Sequence, residues 1–288
     1  MKILRTGALL ILLSVLLVIA GGAIGGQRGL KIALAFAVLI NGISYFFSDK
    51  IALASSGAQP VTREQSPRLY AVMERLAGKA SLPLPKLYVI PEAAPNAFAT
   101  GRNPQHASVA VTQGLLQLMN DDELEGVIAH ELSHVRNYDI LTSSIAATIA
   151  GAITYLAEMG RWGMIFGGFG RDRDDDRGSG GIAAILMIFL APFAALLLQL
   201  FLSRSREYSA DETGARMVGQ PYGLISALQK LGTYNNRIPT TAISPSTSSL
   251  CIVKPLFGSG TLSSLFSTHP PVEDRIAALR EMVVIPQR

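Results

Sequence analysis

The sequence predicts a mainly α chain of the α+β class, in which a multi-span helical membrane anchor carries a water-facing domain with a small β-sheet. Three features point there: long uncharged apolar runs, short β-branched runs between them, and amphipathic helical periodicity beside those. Of the 288 residues, 49% are hydrophobic and 16% are charged, whereas ordinary soluble domains carry about 25% charged residues. A mean hydropathy of +0.34 agrees with part of the chain lying in lipid. The net charge of +4 and the pI near 9.3 raise nucleic acid as a partner. The Lys and Arg residues are scattered, however, with no basic stripe interleaved with aromatics, which argues against nucleic-acid binding. Cys251 is the only cysteine. It permits no intrachain disulfide and no cysteine cluster, and it reads as a small buried hydrophobe.

The uncharged runs cover 6–27, 32–48, 140–157 and 178–203. A helix crossing the hydrocarbon core needs about 20 apolar residues, with a tolerance of about 17–25. The third run is diluted by Thr142, Ser143, Ser144 and Thr148, so a buried helix is its alternative. The first run follows Lys2 and Arg5, as a cleaved signal peptide would. A second run follows almost at once, and two in tandem favour a membrane hairpin.

Residues 54–60 (ASSGAQP) form a small, polar connector. Residues 64–79 then read as an amphipathic helix, with Leu69, Val72, Met73 and Leu76 on one face. KLYVI at 86–90 and SVAVT at 108–112 have strand character. A helix begins near Asn120, a suitable N-cap, with Asp121, Asp122 and Glu123 in the first turn, where the helix dipole favours anions. Residues 232–267 are rich in Ser, Thr, Pro and Gly and read as a long loop or flap before a last helix at about 271–284.

The chemistry concentrates in Ala129-His130-Glu131-Leu132-Ser133-His134. On a helix, His130 and His134 project from one face one turn apart, so both imidazoles can reach one Zn²⁺. Glu131 lies beside them, placed to accept a proton from a water that the metal activates. The chain has only four histidines, and two of them fall in this register. Catalytic zinc usually takes three protein ligands, yet no third histidine follows at close spacing. Glu207 and Asp211, one helical turn apart after the fourth apolar run, are the leading candidates. Glu207 would complete the site and Asp211 would hydrogen-bond a ligand imidazole. His269 and Arg275, around the pair Pro270-Pro271, can both reach a developing oxyanion; a plain helix start with a surface Arg is the alternative. His106 reads as a surface histidine.

These residues together resemble the HtpX family of membrane zinc metalloproteases, relatives of the CAAX prenyl endopeptidases. The resemblance runs through NAFATG at 96–101, VTQGLL at 111–116, HELSH at 130–134 with Asp139 beyond, SREYSAD at 205–211, SLCI at 249–252 and STHPPVEDRI at 267–276. It implies a zincin-like catalytic domain holding one Zn²⁺ per chain through His130, His134 and Glu207. Glu131 would be the general base, Asp211 the partner of a ligand histidine, and His269 and Arg275 the groups stabilising the transition state. It further implies that Asn96, Ala97, Phe98 and Ala99 lie on an edge strand that pairs with extended substrate.

The expected domains are a transmembrane hairpin at 1–48 and a first catalytic part at 49–138, bearing the edge strand and the zinc-binding helix. The third and fourth membrane-associated helices with their connecting loop follow at 139–203. A second catalytic part at 204–288 holds the third ligand, the flap and the C-terminal helix. The resemblance implies polypeptide substrates, namely misfolded or damaged membrane proteins, and an inner-membrane, multi-pass location with the active site facing the cytoplasm. Lys and Arg flank the first run equally, so charge alone sets no orientation. An even number of crossings between His134 and Glu207 would return both to one face, as a shared metal demands.

Overall fold

The computed structural model describes residues 2–149, 204–235, 237, 239–240, 242–243, 247–253, 255 and 270–282. The fourth apolar run, the end of the third, and His269 lie outside the described residues. Helix α1 spans Lys2–Ser55 and is broken at Gly25 and Gly26. Gly26 has φ of 56° and ψ of −139°, a combination that only glycine adopts without strain. The chain reverses there, and Asn41 Nδ2 donates to Ser14 Oγ at 2.7 Å across the two arms. Among the described residues, one helix, Gly25–Ser55, is long and apolar enough to cross a membrane.

The second arm runs past the expected end of the hairpin to Ser55. Ala52 and Leu53 explain the extension, because both are buried against Ile90, Phe98 and Ala110 of the sheet. The connector therefore starts later, where Gly57 takes φ of 64°.

A four-stranded sheet follows, with β1 at Gln59–Pro60, β2 at Lys86–Ile90, β3 at Ala97–Gly101 and β4 at Ala107–Thr112. The spatial order is β1-β2-β4-β3. β1 pairs antiparallel with β2, β2 parallel with β4, and β3 antiparallel with β4. Leu87, Ala97, Ala99, Val109 and Val111 face one core, while Ile90, Phe98 and Ala110 face another. This is the period-2 alternation of a sheet buried on both sides. The short β1 and β3, with their low apolar contrast, carry little sequence signal.

The first core lies between the sheet and the helices. Helix α2 (Pro67–Lys79) contributes Leu69, Val72, Met73, Leu76 and Ala77. It starts three residues later than the expected 64–79, because Pro67 occupies the first helical turn, where its missing N–H is harmless. Helix α3 (Gln113–Leu118) is capped by Thr112, whose Oγ1 accepts from Leu115 N at 3.1 Å. Helix α4 (Asp121–Arg136) crosses beneath the sheet and buries Leu124, Val127, Ile128, Leu132 and Val135. Each such side chain contributes about 1.5–3 kcal/mol when removed from water. Helix α5 (Asp139–Ile149) is short and apolar, and its Leu141, Ile145 and Ile149 pack with Leu10 of α1. Helices α6 (Arg204–Val218) and α7 (Tyr222–Asn235) pack on α4, and α8 (Val272–Glu281) closes the bundle.

Candidate metal centre

The capping box at Asn120 sets the start of α4. Asn120 Oδ1 accepts from Glu123 N and Glu123 Oε2 accepts from Asn120 N, both at 2.9 Å, satisfying two donors that a helix start leaves unpaired. Glu123 also accepts from Lys230 Nζ at 2.7 Å and Ser226 Oγ at 2.6 Å, which pins α4 to α7. Two turns further on, His130 is buried and His134 is partly exposed.

Helix α6 presents Glu207 and Asp211 to these histidines. His130 Nε2 and His134 Nε2 lie 3.3 Å apart. Two nitrogens bound tetrahedrally to one zinc at about 2.0–2.1 Å each would lie about 3.3–3.4 Å apart. Glu207 places Oε2 at 3.7 Å from His130 Nε2 and Oε1 at 3.7 Å from His134 Nε2. The three donor atoms lie within 4.8 Å of one another, so this set fits a zinc ion in both chemistry and spacing. Both oxygens of Glu131 are buried and accept no hydrogen bond of good geometry among the described residues. The Ala99 N–H faces them and pulls against the burial, which leaves the carboxylate open to a water or substrate.

Asp211 Oδ1 is 2.9 Å from His130 Nδ1. That contact makes Nδ1 the protonated nitrogen of His130 and leaves the Nε2 lone pair for the metal. The 3.4 Å approach of Arg275 Nη2 to the same Nδ1 sets two donors face to face and is not a hydrogen bond. Arg275 instead grips Asp211 through Nε–Oδ2 at 2.8 Å and Nη2–Oδ1 at 2.6 Å. Its Nη1 donates to the Ile252 carbonyl at 2.6 Å and lies 3.9 Å from Glu207 Oε2.

Burial pushes the Glu131 carboxyl up to about 7, reinforced by the Glu207 charge and opposed by His134. Burial also lowers His130 despite Asp211. For His134 burial acts downward too, yet Asp139, Glu207 and Glu131 outweigh it and its pKa is raised. For Asp211 burial acts upward, and the Arg275 charge and hydrogen bonds outweigh it, so its pKa is lowered.

A small cavity adjoins the centre, lined by Ala99, Glu131, His134, Asp139, Ile140, Ser143, Arg206, Glu207, Ser249 and Leu250. Thus the structure gathers His130, Glu131, His134, Glu207, Asp211 and Arg275. Arg275 touches the Nδ1 side of His130 and does not line the cavity. Ala99 lines it, whereas Phe98 is buried against the end of α1. Asn96 donates from Nδ2 to the Val253 carbonyl at 2.8 Å. His106 is exposed and hydrogen-bonded to Asn103. Sequence reasoning assigned no role to Asp139, whose Oδ2 is 3.7 Å from His134 Nδ1. The reversal that aims it, at Tyr138 with φ of 59°, leaves no periodic trace. The lining residues Ser249 and Leu250 stand in the SLCI string of the resemblance, but nothing local placed them at the cavity, which they reach from more than a hundred residues away.

Comparison with known proteins decides the class. The model of peptidase family M48 matches residues 63–283, which includes every residue of the centre. The chain belongs to peptidase family M48. It is therefore a metalloprotease, a hydrolase of peptide bonds. Among curated relatives, a protease HtpX homolog of Desulforapulum autotrophicum is 54% identical over 276 residues, covering 96% of this chain and 88% of the relative. Another, from Syntrophotalea carbinolica, is 52% identical over 285 residues, covering 99% and 100%. The resemblance read from the sequence is borne out by these family relationships. The crystal structure of S. mikatae Ste24p matches with a TM-score of 0.53 at 20% identity. That match covers 92% of this chain and 61% of Ste24p, so this chain spans about three fifths of that protein and shares its fold.

Proposed function

We propose that the chain is a zinc-dependent endopeptidase of the cell's inner membrane, cutting misfolded or damaged membrane proteins, with one Zn²⁺ held by His130, His134 and Glu207. The observation that carries this reading is the convergence of three donor atoms within 4.8 Å beside the buried carboxylate of Glu131. Zinc, when bound there, would act as a Lewis acid on water and on the scissile carbonyl. Glu131 accepts the proton of the attacking water and later donates it to the leaving amine. Asp211 holds His130 in the tautomer that offers Nε2, and Arg275 holds Asp211. The placement of Arg275 supports this bracing role, and His269 is kept as the proposed oxyanion donor.

The membrane part of the reading rests on α1. Ile32 is 71% exposed and Val38 67%, with Leu34, Phe36, Leu39, Phe46 and Phe47 also exposed along the same arm. A helix apolar around its circumference belongs in lipid. The second arm would cross as a helix, the first would return beside it, and the catalytic centre would face the cytoplasm. Family relatives named proteases support polypeptide as the substrate class. The experiment is hydrolysis of an unfolded protein by the purified, zinc-loaded full chain. Activity that survives Glu131→Gln at the wild-type rate would refute the mechanism.

A further inference from the structure

The sheet edge beside the metal centre is shorter than β3 itself. Along a strand in an antiparallel pair, successive residues turn their N–H and C=O groups alternately towards the partner and away. The Asn96 carbonyl accepts from Thr112 N at 2.9 Å. Phe98 and Thr100 therefore also face β4, and Ala97, Ala99 and Gly101 face outward. At Ala97 both outward groups are already taken. Its N–H donates to Asn96 Oδ1 at 3.0 Å, and its carbonyl accepts from Ile252 N at 3.0 Å. At the other end, Gly101 N donates to Ser144 Oγ at 3.4 Å. Between them, the Ala99 N–H faces the Glu131 carboxylate, the Ala99 carbonyl has no hydrogen-bond partner among the described residues, and Ala99 lines the cavity with Glu131 and His134.

The segment at Ala97 is a wall. Ile252 and Cys251 are fully buried and belong to the two cores on either side of the sheet. Asn96 Nδ2 grips the Val253 carbonyl at 2.8 Å, and Arg275 Nη1 grips the Ile252 carbonyl at 2.6 Å. Displacing Ile252 would expose apolar surface and break a charge-assisted hydrogen bond, the stronger kind.

We propose that main-chain pairing of a polypeptide substrate with this edge is confined to one residue, Ala99, because Ile252 and Val253 occupy the edge at Ala97 and Ser144 covers it at Gly101. The inference rests on the peptidase reading above and sharpens its substrate class. A substrate held by a single backbone hydrogen bond, to the Ala99 carbonyl, leaves the sheet at once on the Ala97 side. It therefore tolerates residues without an N–H, such as proline, at the position that a longer edge would have bound. Preference among substrates then comes from the side chain that enters the cavity beside Ile140 and Leu250.

The test uses the zinc-loaded full chain in detergent and a peptide that it cleaves. Each backbone amide except the scissile one is replaced in turn by an ester, which deletes one N–H with almost no change of shape. The expected result is one sensitive position, losing about tenfold in kcat/KM, with less than about a twofold change two residues to either side. A second sensitive position two residues away would mean that substrate displaces Ile252 from Ala97 or Ser144 from Gly101, and would overturn the proposal. A parent peptide left uncut would overturn the peptidase reading instead, so the two failures are told apart.

Discussion

Arg275 and Asp211 form a two-pronged ion pair in which both side chains are almost wholly buried, at 2.8 and 2.6 Å. Such a pair adds little net stability over a well-packed apolar pair, but removing one partner strands the other's charge. Arg275→Met should destabilise the chain by about 3–5 kcal/mol. The double variant Arg275→Met/Asp211→Leu should recover most of that loss without recovering zinc affinity, because His130 has lost the carboxylate that fixes its tautomer. Thermal unfolding and zinc titration of the single and double variants check both halves. A double variant as unstable as the single one would contradict this account.

The fit between α4 and α6 depends on Gly214. A Cβ there would sit 3.0 Å from His130 N and 3.1 Å from the Ala129 carbonyl carbon, and backbone atoms in a helix cannot step aside singly. Gly214 lies seven residues after Glu207, on the same helical face, so pushing α6 outward there also withdraws Glu207. Gly214→Val should cost about 1–3 kcal/mol of stability by overpacking. It should also lower zinc affinity by at least about tenfold, as loss of the contacts that orient a ligand does. Gly214→Ala should be milder in both. Zinc affinity unchanged in the Val variant would show that the helix spacing does not position the ligand.

In the metal-free protein, the contribution of Glu131 to stability should fall as pH rises. Glu131 is held at about 7 against a usual 4.5, chiefly by burial. A carboxyl whose folded pKa is raised binds its proton more tightly in the folded chain. Its contribution is full below pH 4.5 and is lost as pH climbs to about 7, a swing of roughly 3 kcal/mol. Glu131→Gln carries no such proton, so the variant should gain on wild type across this window. Unfolding midpoints of both metal-free proteins, taken at steps from pH 4.5 to 7.5, measure the difference. A constant gap between them would remove the burial argument.

The legible parts of this molecule are those governed by local rules. His130 and His134 announce themselves because helical spacing and ligand chemistry act within five residues, and Asn120 marks the helix start by a rule of similar range. Glu207 was reachable only by elimination and by family resemblance, since the 72 residues between it and His134 carry no local sign that the two meet. The wall at Ala97 was illegible for the same reason: Ile252 finds Ala97 across 155 residues, inside a stretch whose composition reads as loop. Arg275 was legible as part of the centre but not in its orientation. Which face of His130 it meets depends on the packing of α8 on α6 and α7, a tertiary fact. The end of α1 illustrates the converse error, where a local rule placed the helix end at the first charge and tertiary burial of Ala52 and Leu53 carried it further.

Asp139 offers the last test, because it stands to His134 as Asp211 stands to His130. Its Oδ2 lies 3.7 Å from His134 Nδ1, on the side of the ring away from the shared Nε2 position. The chain spends conformational strain to put it there: Tyr138, with φ of 59°, adopts a left-handed conformation that costs a non-glycine residue about 1–2 kcal/mol. Carboxylates that hold ligand imidazoles typically change metal affinity by about 10–100-fold when replaced. Asp139→Asn should therefore weaken zinc binding within that range while leaving the helical signal of the protein unchanged. Tyr138→Gly, which keeps the turn and removes the strain, should bind zinc as wild type does and unfold at an equal or higher temperature. If Asp139→Asn bound zinc with wild-type affinity, the strained turn would be a feature of chain reversal alone, and His134 would owe its orientation to packing.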